Sequence, residues 1–277
     1  MVELRSIMWV RGFMAFRVVG FPFVRFVVVL LFLSCNIAWC APEKGPGARV
    51  SVAEQYLFSA ANAERVQRGL QPLRWSDSLY RAAYGHAQAM AEHEGISHQF
   101  PGEPKLTARG EEAGARFSVI SENVAEAPSA VMIHDEWMHS PKHRANMLDP
   151  RVDSIAIRVV SRDGELYAVE DFDRSVTKLS LGQQESAVAQ RLQATASVSI
   201  LPTTENARKT CAMDTGYAGN RRPWFIMRYT ATDLNELPNV LKQKLASGRY
   251  HEAEVGACRA ESTNNFTAYS IAVMLYR

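Results

Sequence analysis

Six of the seven histidines fall between His86 and His143. Imidazole titrates near neutrality and is the commonest metal ligand, so such a cluster suits acid/base work, metal binding or ligand capture. The six are not equivalent. His86 sits on the apolar face of a helical pattern and reads as a hydrogen-bonded core residue. His93, near the end of that pattern, suits the helix C-terminal dipole. His134 and His139 are five apart on another helical pattern, point to different faces, and read as structural or exposed. His98, in Gly95-Ile96-Ser97-His98, and His143, in Ser140-Pro141-Lys142-His143-Arg144, read as loop residues bracketed by turn chemistry, where functional side chains concentrate. Between them Ser121-Glu122-Asn123 is a short polar segment among apolar residues. If they converge, two imidazoles and a carboxylate could hold zinc or another divalent metal with one position open. They could equally form an acid/base pair, and the residues alone leave both open.

The surrounding pattern is that of an α+β unit. Ser51 followed by Glu54 forms a capping box that opens a helix ending at Gly69-Leu70. Asp77 is expected to cap a second helix, with Leu79, Ala83, His86 and Met90 on one face and Gly95 as its stop. A third runs from about Ser129 to Met138 and is stopped by Pro141. Ile155–Val160 and Glu165–Phe172 are β-rich runs joined at Asp163-Gly164, a hairpin signal. Helices followed by a hairpin define the class.

Domain boundaries follow from composition. FVVVLLFL at 26–33, with Arg17 and Arg25 before it and Ala38-Trp39-Cys40-Ala41 after it, predicts a signal peptide over 1–40. The apolar run is too short to span a membrane, and a secreted or periplasmic protein is expected. Residues 41–50 read as a linker, 51–176 as the α+β domain, 177–206 as a linker with a helix near Ala187–Ala194, and 207–277 as a small α/β unit. That unit is expected to hold a strand at Trp224–Thr230, a helix at Leu234–Ala246 and a terminal strand at Thr267–Arg277. Gly219–Trp224 places two Arg beside an indole and reads as an exposed loop leading into a strand, with a carbohydrate- or anion-facing loop as the alternative. No internal repeat survives a residue-by-residue comparison.

Cysteines and charge agree with export. Beyond the signal only Cys211 and Cys258 remain, and one disulfide between them is the simplest expectation in an oxidising compartment. Without the four Arg and one Glu of residues 1–40, the formal charge of +2 becomes −1. No basic stripe points to nucleic acid.

A resemblance narrows the chemistry. Asn62-x-x-Arg65-x-x-x-Gly69-Leu70-x-Pro72-Leu73-x-Trp75, then Leu79-x-x-Ala82-x-x-x-His86-Ala87, Ser97-His98, Glu122-Asn123-Val124-Ala125 and Trp137-Met138-x-Ser140-Pro141-x-His143-Arg144-x-Asn146 occur in this order over about 53–173. This resembles the CAP superfamily: cysteine-rich secretory proteins, antigen 5, pathogenesis-related proteins and a bacterial SCP-like branch. The resemblance implies a three-layer α-β-α sandwich with a central cleft faced by two His and usually two acids. Carried over, the His positions are His98 and His143 and one acid is Glu122. The other acid falls on Ser140, with Glu136 and Glu170 nearby but not at the matching place. Two His and one carboxylate can still hold zinc, yet supply no second carboxylate as general base. Ser140 before Pro141 reads as a helix terminator rather than a nucleophile. Asn123 and Arg144 are expected to orient the cleft or bind anions, with an Arg144–Asp149 pair as the structural alternative.

Two functions follow. The incomplete acid set favours a binding or adaptor module taking a metal, lipid, protein or cell-envelope ligand. The alternative is a metal-assisted hydrolase of peptides or cell-wall material. The fold alone decides neither.

Overall fold

The computed structural model describes residues 50–259 and 266–277; the expected signal peptide, and nearly all of the linker before Ser51, lie outside them. Ser51 caps α1 (Val52–Gln67) through the expected box with Glu54, and Glu54, Leu57, Ala61 and Arg65 are its buried residues. The chain leaves α1 through Gly69 at φ +73°, a conformation open to glycine at little cost. It then makes a short strand, β1 (Arg74–Trp75), before α2 (Asp77–His93).

The cap of α2 is Ser76, one residue earlier than expected. Its N–H is still bonded to the sheet at the Ile155 carbonyl, which holds it extended, with its hydroxyl free to accept from the Leu79 N–H (3.3 Å). Asp77 becomes a first-turn acid, favourable to the dipole. The left-handed C-cap is likewise Glu94 (φ 50°) rather than Gly95.

Three further elements carry the site. They are α3 (Leu106–Glu112), β2 (Phe117–Ala127) and, after α4 (Ala130–His139), the short helix α5 (Pro141–Met147). Ser140 is both C-cap of α4 and N-cap of α5, with Pro141 in the first turn of α5. His143 therefore stands on a helix, not on the expected loop; a proline that ends one helix also suits the first turn of the next. The hairpin β3 (Ser154–Arg162) and β4 (Glu165–Ser175) turns at Asp163-Gly164, both at positive φ.

The sheet order is β1-β3-β4-β2, with β1 parallel to β3 and the other pairs antiparallel. One face is closed by α1 and α4 over Ile155, Ile157 and Phe172. The other is closed by α2 over Val124, Val169 and Ala156. This is a three-layer α-β-α sandwich with β2 at one edge.

The stretch expected as a linker holds α6 (Leu181–Thr195), whose Val188 and Leu192 lie in the core of a second sheet. That sheet is β5 (Ser199–Ile200), β6 (Phe225–Ala231), β7 (Glu252–Cys258) and β8 (Tyr269–Tyr276), with α7 (Glu205–Cys211) and α8 (Asn239–Ala246). The sequence reading overlooked α7 and β7. It also began the last helix too early: Pro238 is the N-cap, and Leu234 and Leu237 reach the core from non-helical chain. The expected Cys211–Cys258 disulfide is present and ties α7 to β7. A loop closed over 47 positions is worth about 3–4 kcal/mol in the chain-entropy model. α7 lies so close to β7 that a Cβ on Gly256 would stand 2.2 Å from the Ala207 carbonyl oxygen. Among the described residues no helix is long and apolar enough to cross a membrane.

Candidate functional site

Strand alternation divides the polar residues of β2 between the two layers. Glu122 points to the α2–α3 side and pairs in register with Asp171; Asn123 points to the α4–α5 side and pairs with Glu170. Because β2 is an edge strand, side chains from both layers can meet around it.

On the first side Glu122 is buried and both oxygens are engaged. Oε1 faces His98 Nδ1 at 2.9 Å, and Oε2 is bound by the Arg109 guanidinium of α3. Arg109 also lies 3.2 Å from Glu103 Oε1 and donates to the His98 carbonyl at 3.5 Å. His86, fully buried, meets Glu103 through Nδ1 at 2.7 Å, and its Nε2 stands 3.8 Å from Glu122 with no hydrogen bond. Burial pushes the Glu103 carboxyl upward, but the Phe100 N–H, His86 and Arg109 together hold it below its ordinary value. An open cavity of about 430 Å³ is lined by His86, Glu103 and Arg109, so the guanidinium that holds Glu122 also borders this space.

On the second side Asn123, fully buried, donates to the His143 carbonyl (3.1 Å) and to Glu170 Oε2 (3.0 Å). Asn146 of α5 donates to Asn123 Oδ1 (2.9 Å) and to the Glu122 carbonyl (3.1 Å). Three of these bonds fix α5, and with it His143, against β2, and the bond to Glu170 ties Asn123 to β4.

The two histidines are neighbours with opposite tendencies. Hydrogen bonding to Glu122 raises the His98 pKa against its partial burial. Burial, and then the charges of His98 and Lys142, lower that of His143. The pair therefore favours one imidazolium beside one neutral imidazole. The side chain of His98 is 61% exposed. With Nδ1 held by Glu122, its Nε2 is the ring nitrogen left for a ligand.

The remaining expected residues fall elsewhere. Arg144 donates to the Met138 carbonyl (2.8 Å) at the end of α4, and Asp149 pairs with Arg151 at 2.6 Å rather than with Arg144. No side-chain capping bond forms at Ser140. Glu136 is exposed on α4, and Glu170 is buried beneath the opposite layer. The acid facing Glu122 across the β2–β4 ladder is instead Asp171, which is fully buried. Its carboxyl is pushed well up by burial and then by the charge of Glu122.

The donor set suits a metal poorly. A dication on Glu122 would meet the Arg109 guanidinium on the same carboxylate. Among the described residues no three His, Cys, Asp or Glu side chains are grouped to hold an ion. Sequence reasoning missed Arg109, Glu103 and Asp171. The available signal was the run Glu170-Asp171-Phe172-Asp173, three acids in a strand otherwise rich in apolar residues.

Residues 58–172 match the family model described as the CAP, cysteine-rich secretory protein family. Among curated proteins the chain is similar to the uncharacterized protein YkwD of Bacillus subtilis, 30% identical over 114 residues, 40% of this chain and 44% of that protein. It is also similar to the uncharacterized membrane protein YlbC of the same organism, 30% identical over 103 residues, 36% of this chain and 29% of that protein. The match thus spans less than half the length of either relative. A solved extracellular protein containing a SCP domain from Bacillus anthracis aligns with a TM-score of 0.41 and 25% identity, over 44% of this chain and 40% of that one.

Proposed function

Residues 58–172 belong to the CAP, or cysteine-rich secretory protein, family, and from that premise we propose that the chain is an extracytoplasmic binding module whose His98–His143 cleft takes an anionic group of a cell-envelope ligand. The observation that carries this reading is the commitment of Glu122. Its carboxylate is neutralised by Arg109 and spent on holding His98, so it is not free to act as a base or to bind metal. An exposed imidazole whose pKa is raised, with Lys142 near its neighbour His143, suits a phosphate or carboxylate. Export through the segment at 1–40 would bring the module to envelope lipids and polymers, secreted or periplasmic.

The expected result is binding to vesicles containing phosphatidylglycerol, or to inorganic phosphate, that weakens at least about tenfold in His98→Gln while the melting temperature stays within about 2 °C. Binding to phosphate without vesicles would point to a polymer, and binding to vesicles alone to a lipid headgroup. Absence of both, or equal binding by His98→Gln, contradicts the reading.

One observation favours hydrolysis as the second reading. An imidazole pinned through Nδ1 by a buried carboxylate presents Nε2 as a general base for water. Under that reading His98→Gln abolishes turnover of a peptide or glycan substrate.

A further inference from the structure

The two sheets have the same plan. The strand order β5-β7-β8-β6 repeats β1-β3-β4-β2, with the parallel and antiparallel pairs in the same places. Bonds at the parallel edge coincide one by one. Ser76 N–H to Ile155 O is matched by Leu201 N–H to Ala253 O, and Asp153 N–H to Asp173 O by His251 N–H to Tyr276 O. The first helix of each half caps with a serine box, Ser51 with Glu54 and Ser180 with Gln183. Each also buries an acid followed by apolar residues three and seven positions on: Glu54, Leu57 and Ala61 in one, Glu185, Val188 and Leu192 in the other.

That buried acid does the same task twice. Beyond the two-residue partner strand, the third strand of each sheet has an unpaired edge, and an orphan N–H there needs an acceptor. Glu54 Oε1 takes the Val159 N–H at 3.0 Å, and Glu185 Oε1 takes the Ala257 N–H at 3.1 Å. Val159 and Ala257 occupy the same register position, five residues beyond Ser154 and Glu252, the first residues paired to β1 and β5.

The register then shows what differs. Counting from the same pairs, Glu122 corresponds to Ile226, Asn123 to Met227, Glu170 to Val273, Asp171 to Met274 and Asp173 to Tyr276. Met274, Tyr276 and Ile226 pack beneath α7 with Ala207 as a small apolar core. Among the described residues the second half also has no counterpart of α3 or α5, which supply Arg109 and His143.

We infer that residues 177–277 are a degenerate second copy of the unit at 51–175, in which the frame is kept and the polar face of the cleft has become core. The absence of a recognisable sequence repeat is explained by this: what is duplicated is backbone pairing and one buried acid, not surface residues. The copy also marks which buried polar groups the fold does not require, namely Glu122, Asn123, Glu170 and Asp171.

Amide hydrogen exchange on the intact chain tests the copy independently of any ligand. In the wild-type protein the amides of Ser199, Leu201 and Ala257 are protected like those of Arg74, Ser76 and Val159. Glu185→Ala speeds exchange at Ala257 at least about tenfold and leaves Val159 unchanged; Glu54→Ala does the reverse. Fast exchange at Ser199, Leu201 and Ala257 in the wild type overturns the inference, and this arm stands even if a variant fails to fold. Unchanged protection of Ala257 in folded Glu185→Ala overturns it as well.

Discussion

Arg109→Met destabilises the protein by about 3–5 kcal/mol, because breaking a buried ion pair from one side leaves the other charge uncompensated. Here two carboxylates are stranded. Glu103 and Glu122 both face the guanidinium, and the side chains of Arg109 and Glu122 are only 6% and 3% exposed. The same substitution frees the His98 backbone and removes the counter-charge that keeps Glu122 directed at His98. Adding Glu122→Gln to Arg109→Met recovers part of the loss, since the stranded charge is gone and the amide oxygen still accepts from His98. Urea denaturation of the two singles and the double closes the cycle. A cost below about 1 kcal/mol for Arg109→Met, or strict additivity in the double variant, is incompatible with this arrangement.

The second large effect is on pH dependence. Burial pushes the Glu170 carboxyl up to about 8, against the Asn123 hydrogen bond that lowers it. Asp173 is pushed to about 7, also by burial. In the unfolded chain both titrate near the ordinary carboxylate range, so between those values the folded protein holds protons that the unfolded chain releases. Stability is therefore full below the unfolded values and falls as pH rises through the folded ones, by about 1.4 kcal/mol per pH unit for each group while the difference lasts. His98, raised by Glu122, acts in the same direction above its ordinary value. The protein melts at a lower temperature at pH 8 than at pH 5. Glu170→Gln, whose amide keeps an oxygen for Asn123, is more stable than wild type at pH 8 and close to it at pH 4.5. A wild-type melting temperature that climbs from pH 5 to pH 8, or a Glu170→Gln curve parallel to it, refutes this burial.

Part of the site could not be read from the sequence beforehand. His98, Glu122 and His143 stood out because histidines and turn residues are visible in one dimension. Arg109 and Asp171 matter only through β2–β4 register and the packing of α3, which no local pattern encodes. β2 itself was legible only as a polar segment: it is covered on both sides at an edge, so Glu122 and Asn123 interrupt the alternation that normally announces a strand. Capping chemistry served better. Ser51-x-x-Glu54, Ser129 and Asp163-Gly164 located α1, α4 and the β3–β4 turn, whereas Pro141 was read as a stop when it is also a start. In the second half the terminal strand was plain from its apolar run. α7 was not, because its seven residues, Glu205–Cys211, are too few to establish a helical period.

The arrangement around Glu122 rests on its hold on His98 and on the proximity of the two imidazoles. A pH titration of the His98 and His143 ring nitrogens by NMR, in wild type and in Glu122→Gln, tests this most directly. The account predicts that His98 titrates above 6.5 and His143 below it, and that Glu122→Gln brings His98 down while relieving His143. Two histidines titrating alike, or a His98 midpoint indifferent to Glu122→Gln, would contradict it.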